Sequence, residues 1–453
     1  MQRQHFLLLG LATTIASHAQ QADALAGSVH QGLWDLPQQP AAISTTAHRL
    51  EMNLFFGMAD LDNSYFHLRP SGGPGLLRFD PRLRVDRSAL PLEGLTGEQR
   101  SLDLNVRIMG PAVAVPLGQR TRVALHTALR VAGTTTDLDG LARLFSGEAF
   151  VVNTEAPRRM DELRIRTNQM AWAEAGITVA RRFSLGKEVE LHAALTGRYL
   201  AGLAAAAVRM DAPVVETSDE GATISAVNAA YAVHGTDLPR PGLLDIQGSG
   251  IGADAGVVLQ WGQARGRHDS TAAAAPRWSI GMAVTDLGGL RMRNGLQGRV
   301  RNGRTSLDAM GDIAVDDPAT LGSTLQQAFG ADAVTVSTNA TSLFLLPMAV
   351  RMHMDHRPVE HLAIRVAGTL GMDRGDQGVR TPSDIAFSVR YESRWIEVGV
   401  PVSFHQWQGM RVGMAVRLGP LMVGSDKVGA LLGLANITGM DVYAGLKLGL
   451  GRR

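Results

Sequence analysis

Apolar and polar residues alternate in three runs near the C-terminal end of the chain. The apolar positions of the successive runs are Ile396, Val398, Val400, Val402 and Phe404; Val412, Met414, Val416 and Leu418; and Val442, Ala444, Leu446, Leu448 and Leu450. Because successive side chains of a strand point to opposite faces, each run has one apolar face and one polar or small face. A tilted strand of about 9–11 such residues is long enough to cross the hydrocarbon of a bilayer.

Three further segments show the same alternation and are predicted to be β-hairpins. They run from Ser101 to Arg130, from Met170 to Leu200 and from Met348 to Leu370, with turns at residues 116–120, 184–187 and 356–358. Shorter alternating runs bring the total to about a dozen strands. Since bacterial outer-membrane barrels usually have an even number of strands, the sequence predicts an all-β fold, an antiparallel transmembrane β-barrel of about 14 strands (roughly 12–16).

Several stretches interrupt the alternation. Irregular loops are predicted over residues 71–99 and 211–248, and short helices over 138–145 and 318–329. Residues 290–343 are otherwise weakly patterned. Counting strands back from Leu450 places the turn after Asp355 at the end of the barrel away from the C-terminus, although a turn this short is typical of the periplasmic end.

The N-terminal residues have the pattern of an export signal. Arg3 precedes an apolar stretch from Phe6 to Ala16, and the small residues Ser17 and Ala19 flank His18. Such a pattern predicts a signal peptide over residues 1–19, cleaved before Gln20, and therefore export to the outer membrane. Residues 20–48 lack periodicity and are predicted to form an irregular arm or plug, which leaves residues 49–453 for the barrel.

Composition narrows the class of protein further. The chain has 453 residues, no cysteine and a net charge of +2. Without cysteine there is no disulfide framework and no thiolate metal site. The nearly balanced charge gives no indication of a nucleic-acid partner, so outer-membrane lipid is the principal predicted partner.

The polar faces of the predicted strands carry many charged residues. The candidates for lining the lumen are Arg107, Arg122, Arg130, Glu174, Glu190, Arg198, Arg351, Arg365, Arg390, Glu397, Arg411 and Arg417. Arginine and carboxylate side chains in an enclosed lumen must satisfy one another, whereas they would be free in a pore for anionic or amphipathic solutes. We interpret the pattern as a salt-bridged filling of a closed lumen.

Short blocks in a fixed order resemble a family of uncharacterised outer-membrane β-barrels of the Bacteroidota type. The blocks are residues 171–176 (AWAEAG), 197–203 (GRYLAGL), 252–256 (GADAG), 283–288 (AVTDLG) and 419–426 (GPLMVGSD). These barrels are similar in turn to the long-chain fatty-acid transporter type, in which a plug carries Asn-Pro-Ala; Gln39-Pro40-Ala41 resembles that motif. The resemblance implies a plugged barrel whose partner is a hydrophobic or small solute.

Candidate chemistry is sparse along the chain. No serine-nucleophile elbow, phosphate-binding loop or zinc-protease motif occurs, so neither an enzyme nor a cofactor is predicted. The group His353, Asp355, His356 and His361 contains metal-ligand types, but it is interpreted as a solvated turn rather than a metal site. Ser403, His405 and Glu397 share one strand face and are interpreted as lumen lining rather than as a hydrolase triad.

Passive transport of a hydrophobic or small solute is the function predicted first. A non-transporting structural or accessory component of a surface or secretion assembly, with protein partners in the cell envelope, is the main alternative. A soluble periplasmic β-rich binding protein would show similar alternation, because a sandwich also has one buried face and one solvated face. A barrel-borne hydrolase is the remaining alternative.

Overall fold

The computed structural model describes residues 23–63, 101–137, 164–211, 214–218, 221–235, 245–263, 276–306, 318–405, 409–431 and 439–452. In these residues, eighteen strand segments form one antiparallel sheet. The sheet closes on itself because β1 (His48–Asn63) pairs with both β2 (Ser101–Leu117) and β18 (Gly439–Arg452). Closure leaves no free edge at this seam, as a barrel embedded in lipid requires.

The other strands follow in chain order around the barrel. They are β3 (Thr121–Thr136), β4 (Arg164–Ser184), β5 (Val189–Asp211), β6 (Val214–Ser218), β7 (Gly221–His234), β8 (Gly248–Gln263), β9 (Pro276–Ser306), β10 (Val334–Leu345), β11 (Ala349–Val359), β12 (Leu362–Gly371), β13 (Asp384–Glu392), β14 (Ile396–His405), β15 (Gly409–Val412), β16 (Met414–Leu418) and β17 (Leu421–Ser425).

Helices are short in the described part of the chain. They are α1 (Ala42–Thr45), α2 (Pro318–Phe329), α3 (Val428–Leu431) and the 3-10 turns Gly32–Trp34 and Ala331–Ala333. None of these helices is long and apolar enough to cross a membrane. The helix predicted over residues 318–329 is confirmed by α2. The predicted helix at 138–145, the loop at 71–99 and the signal peptide lie outside the described residues.

Four positions in the barrel wall are occupied by two consecutive segments each. These pairs are β5 with β6, β7 with β8, β10 with β11 and β15 with β16, because the members of each pair share a neighbouring strand. Across the described residues, eighteen segments less these four interruptions give a closed barrel of 14 wall strands. The predicted fold class and strand number are confirmed.

The outer face of the wall is apolar. Along β13 the burial alternates strictly, and the exposed positions are Ile385, Phe387, Val389 and Tyr391. Elsewhere Leu195 is 69% exposed and Ile251 is 75% exposed. A continuous band of large apolar side chains on the outside, with charged side chains inside, is the arrangement of a membrane-embedded barrel and not of a water-soluble sandwich.

The short connections gather at one end of the barrel, which we call the turn end. It contains residues 118–120, 185–188, 360–361, 393–395 and 419–420, together with Arg452 at the end of β18. The turn after Asp355 therefore lies at the same end as the C-terminus, in agreement with the short-turn rule and against the count of strands back from Leu450. That count is one strand short because it omits β17. This strand has only five residues and follows Gly419-Pro420, a pair typical of loops.

Two strand boundaries also differ from prediction. Residues 211–248, predicted as a loop, contain β6 and β7, and the turn predicted at 356–358 lies within β11. β7 differs from the strongly alternating strands because its apolar face is not exposed. Val227 and Tyr231 pack with Leu325 and Phe329 of α2. Tertiary packing, rather than alternation, therefore stabilises this strand.

Replacing Leu195 by arginine tests the membrane-facing surface. The charge would enter lipid, so we expect refolding into vesicles to lose about 2–4 kcal/mol of stability. Urea titration of the refolded barrel measures it. Gln119→Arg, at the exposed turn end, is the matched control and should be nearly neutral. Equal effects of the two substitutions would contradict a lipid-facing position for Leu195.

Candidate functional site in the barrel lumen

Residues 23–47, which we call the plug segment, lie inside the barrel. Leu25, Leu33 and Ile43 of this segment are fully buried. Side-chain hydrogen bonds attach the segment to opposite parts of the wall: Trp34 Nε1 donates to Asn53 Oδ1 (2.7 Å), and Ser44 Oγ lies 2.8 Å from His192 Nδ1. The irregular N-terminal segment is therefore packed as part of the core.

Buried charges satisfy the irregular backbone of the plug segment. Glu51 accepts a hydrogen bond from the amide of Leu33 (3.0 Å), and Lys447 Nζ donates to the carbonyl of His30 (2.6 Å). The Lys447 ammonium also lies 4.9 Å from the centre of the Trp34 ring. Unpaired backbone groups would be costly in this interior, so these two side chains stabilise the docked segment.

A glycine in the wall permits the closest approach of the plug segment. A Cβ atom at Gly399 would overlap the carbonyl oxygen of Ala24. Because that obstacle is backbone, no rotation of a side chain could relieve it. The close contact with the backbone of Ala24 therefore explains why the polar face of β14 has a glycine at position 399.

Two carboxyl groups of the plug segment are unfavourably buried when ionised. Burial raises the pKa of Asp35 to about 6, against partial opposition from Arg365 and from the amide of Gly27. Burial raises the pKa of Asp23 to about 8, and repulsion from Asp384 adds to the effect. The ionised form of each group is thus the costlier one inside the lumen.

A set of five side chains, which we call the central network, joins strands on neighbouring parts of the wall. Arg130 forms two hydrogen bonds with Asp286 (2.6 and 2.9 Å). Arg198 contacts Glu174 (3.0 Å), Asp254 (2.6 Å) and Asp286 (2.9 Å). All five are nearly inaccessible to solvent, so their mutual contacts replace hydration.

A bulge in β9 directs the acidic part of the central network inward. Asp286 has a φ of 59°, and its amide donates to Asp254 Oδ1 (2.7 Å). Sequence analysis did not select Asp254 or Asp286 as lumen residues. One feature of the sequence could have indicated that Asp254 faces the lumen: it is a carboxylate flanked by small residues, in residues 252–256.

A second charged group lies beneath the plug segment. Asp355 contacts Arg365 (2.8 Å) and Arg390 (3.1 Å), and Glu392 contacts Arg390 (3.1 Å) and Arg357 (3.0 Å). Arg390 also donates to the carbonyl oxygen of Ala26. The same side chains therefore fill the lumen and hold the plug segment.

The structure places most of the candidate lumen residues inside the barrel. The buried ones are Arg107, Arg122, Arg130, Glu174, Arg198, Arg365, Arg390, Glu397 and Arg417. Arg351 donates to Thr285 and Thr369, both at 3.3 Å, and Arg411 pairs with Asp62. Glu190 differs from the rest: its side chain is 38% exposed and pairs with Arg182 near the turn end.

The candidate metal ligands are separated. His353 Nε2 lies 3.9 Å from Asp355 Oδ2, whereas His356 stacks on Trp278 and His361 Nδ1 lies 2.9 Å from the carbonyl of Glu392. Within the described residues, no group of three or more suitable side chains is arranged to hold a metal ion. The interpretation as a solvated turn is wrong for His353 and Asp355, which are buried because β11 continues to Val359.

The three candidate triad residues have separate partners. Glu397 pairs with Arg417 (2.6 Å), and the Ser28 hydroxyl donates to it. His405 lies 3.4 Å from Asp62. Ser403 is buried on the same face of β14. The arrangement fixes the plug segment and wall together and does not align a nucleophile with a base.

Residues 372–383, which we call the crossing segment, extend from β12 across the lumen to the opposite wall. Thr134 Oγ1 on β3 donates to the carbonyl of Arg380 (3.1 Å) and accepts from its amide (3.2 Å). Asn168 on β4 donates to the carbonyl of Gly378 (2.9 Å). Val379 is buried against the core group that contains Trp172. The segment therefore covers the interior opposite the plug segment.

A chamber with a cavity volume of about 50 Å³ lies between the plug segment and the crossing segment. The plug side contributes Trp34, Pro37 and Gln38, and the crossing side contributes Arg380, Thr381 and Pro382. The wall contributes Phe56, Met58, Asp60, Asp62, Asp103, Leu104, Asn105, Arg107, Arg130, Ala132, Asp286, Pro347 and Arg351. Apolar and charged surfaces thus meet in one small space inside the barrel.

The described residues define a plugged transmembrane β-barrel with an internal chamber. The chain belongs to a family of unknown function (DUF5723), which it matches over residues 40–426. No curated protein matches the chain.

Several solved barrels are similar to this chain. The toluene transporter TodX of P. putida has a TM-score of 0.43 at 7% identity, over 94% of this chain and 95% of that one. A Pseudomonas aeruginosa FadL homologue has a TM-score of 0.40 at 11% identity, over 96% of each chain. The translocator domain of the Neisseria meningitidis autotransporter NalP has a TM-score of 0.31 at 8% identity, over 95% of this chain and 100% of that one.

Removing Arg198 tests the central network. In Arg198→Met the carboxylates of Glu174 and Asp254 lose a buried partner, so we expect a loss of about 3–5 kcal/mol in the free energy of unfolding. Arg182→Met removes the half-exposed pair with Glu190 and should cost no more than about 1 kcal/mol. Urea unfolding of the two refolded variants gives the comparison, and similar losses would argue against a cooperative network.

Gly399→Val tests the docking of the plug segment. The added side chain would overlap the backbone at Ala24, so the plug segment should leave its position while β14, which tolerates valine, remains paired. Because the chain has no cysteine, Ala41→Cys provides a single reporter, and its labelling by a charged maleimide should accelerate several-fold.

Gly197→Val is the control for this experiment, since a Cβ atom there meets nothing within 4 Å. It should leave the labelling rate of the Ala41→Cys reporter unchanged. Slow labelling in both valine variants would show that the plug segment does not depend on contact with Gly399.

Proposed function

We propose that this protein is an outer-membrane barrel that passes a small solute through the chamber between its plug segment and its crossing segment. The enclosed chamber is the observation that carries the proposal. The apolar outer face supports residence in lipid, and the lumen supplies a space where a solute can be bound. The solute would move down its own concentration gradient.

The two segments that bound the chamber are held with different strength. The plug segment is fixed by buried charges such as Lys447 and Arg390. Neutral hydrogen bonds hold the crossing segment together with partly exposed ion pairs. Arg209 pairs with Asp376 at 2.9 Å, and Arg166 lies 3.9 Å from Asp373 and 3.7 Å from Asp376. Exposed pairs contribute only about 0–1 kcal/mol, so the crossing segment is the easier of the two to displace.

The order of opening follows from this difference. A solute arriving at the end opposite the turn end would displace the crossing segment first and reach the chamber. Passage beyond the chamber would then require the plug segment to shift along the small and glycine-lined wall. In this view the candidate charged residues line the path and set which solutes are accepted.

Export belongs to the same proposal. A signal peptide over residues 1–19 would be removed before Gln20, leaving a plug over residues 20–48 and a barrel over residues 49–453. The export pattern from Arg3 to Ala19 and the burial of residues 23–47 support this division.

The filled lumen favours one second candidate, a structural or accessory component of a surface or secretion assembly. Five charged side chains of the central network satisfy one another and leave little free space around them. In that case the chamber would be an unused internal space, the protein would carry no solute flux, and partner proteins of the cell envelope would bind its exterior.

A reversible cross-link between Thr134→Cys and Arg380→Cys tests the transport proposal. Their hydrogen-bonded positions at 3.1 and 3.2 Å lie on opposite sides of the proposed opening. In liposomes, oxidation should reduce the flux of small solutes and reduction should restore it. The single variant Thr134→Cys controls for the loss of the hydroxyl. Flux that ignores oxidation, or no flux from the unmodified protein, would contradict the proposal.

A further inference from the structure

Arg107 on β2 is a buried cation that borders the chamber, and its side chain forms no hydrogen bond or ion pair with the described residues. Its side chain is 9% exposed, and its Nε has no hydrogen-bond acceptor. Its guanidinium forms no ion pair with any described carboxylate, in contrast to Arg130 and Arg198. Burying a charge without a partner is costly, so the position calls for a specific explanation.

The neighbours of Arg107 make its position costlier. Arg130 is directly opposite on β3, and like charges in directly opposed positions destabilise a sheet. Glu174 and Asp286 attract the Arg107 guanidinium but form no ion pair with it, because Asp286 is held by Arg130 and Arg198, and Glu174 is held by Arg198. Arg107 is thus left facing the chamber with its donors available.

The other side of Arg107 is apolar. Met58 is its direct neighbour on β1, and Phe56 lies one inward position further along the same strand. The rings of Phe56 and Trp34 are 5.9 Å apart and form the plug side of the chamber. A guanidinium beside aromatic and thioether surface can bind a molecule that has both an anionic group and an apolar part.

We propose that Arg107 binds the carboxylate of the transported solute, and that this solute is a compact organic acid whose apolar part lies against Trp34, Phe56 and Met58. The inference rests on the proposed transport function and adds the chemical class of the solute. A carboxylate matches the planar donors of a guanidinium and would supply the anion that the wall does not. The chamber of about 50 Å³ limits the solute to a compact one, and the crossing segment must move aside before the apolar part of the solute can enter.

Benzoate and its neutral analogue benzamide are the probes. Tryptophan fluorescence of the purified barrel in detergent would report binding, since Trp34 lines the chamber and Trp172 lies beside Arg130. We expect unmodified protein to bind benzoate more tightly than benzamide. In Arg107→Met, benzoate binding should weaken by about tenfold or more, because a hydrogen-bonded charge pair is lost, while benzamide binding stays the same.

The heat stability of Arg107→Met distinguishes a binding role of Arg107 from a structural role. Removing a buried cation that forms no ion pair and that Arg130 repels should leave the barrel as resistant to heat as before, or more so, as judged by its faster migration on an unboiled gel. Arg107→Lys should retain part of the benzoate preference. Arg181→Met is the matched control, because that cation lies over Phe183 outside the chamber.

Each outcome bears on a separate statement. Equal affinity for benzoate and benzamide, unchanged benzoate binding in Arg107→Met, or failure of that variant to fold would overturn the role of Arg107. Flux of neutral solutes with no preference for benzoate would leave the transport proposal standing and reject the acidic solute. Neither binding nor flux of any probe would reject the transport proposal together with this inference.

Discussion

The hydrogen bonding between β1 and β18 is the interaction on which the rest of this structure depends. It joins the first and last strands of the described sheet, so every wall strand has neighbours on both sides. In hydrocarbon an open edge would leave backbone groups without partners, each at a cost of several kcal/mol. Closure also separates the two faces of the sheet, which places the apolar residues in lipid and the charged residues in a confined interior.

The confined interior must then satisfy its own charges. The central network, the pairs around Asp355 and the anchors of the plug segment solve this problem together, because Arg198 and Arg390 each contact more than one acceptor. The plug segment is irregular, yet its backbone is satisfied by Glu51 and Lys447 on the wall. The barrel and its plug are therefore one electrostatic unit, and each stabilises the other.

The chamber is the place where this mutual satisfaction stops. Above it the crossing segment rests on neutral hydrogen bonds from Thr134 and Asn168, and beside it Arg107 faces empty space. A weakly held cover and an unpartnered cation both reduce stability and are understandable when a solute supplies the missing contacts. The strongly paired interior and the weakly paired chamber thus have complementary roles in a transport barrel.

The alternation of apolar and polar residues by itself determined the class of fold, because side-chain direction in a strand depends only on position along the chain. It predicted the outward residues of β14, β16 and β18, the inward arginines and the approximate strand number. It could not identify β17, which is short and follows Gly419-Pro420, or β7, whose apolar residues Val227 and Tyr231 are covered by α2.

The tertiary structure decided which charges meet, and no local pattern could do so. Asp286 reaches Arg130 and Arg198 only because a bulge turns β9 inward, and Asp355 reaches Arg390 through the register of three strands. The sequence identified Arg107 and Arg130 as the same kind of residue. Only the folded barrel distinguishes the paired cation from the unpaired one, because pairing depends on contacts between strands far apart in the chain.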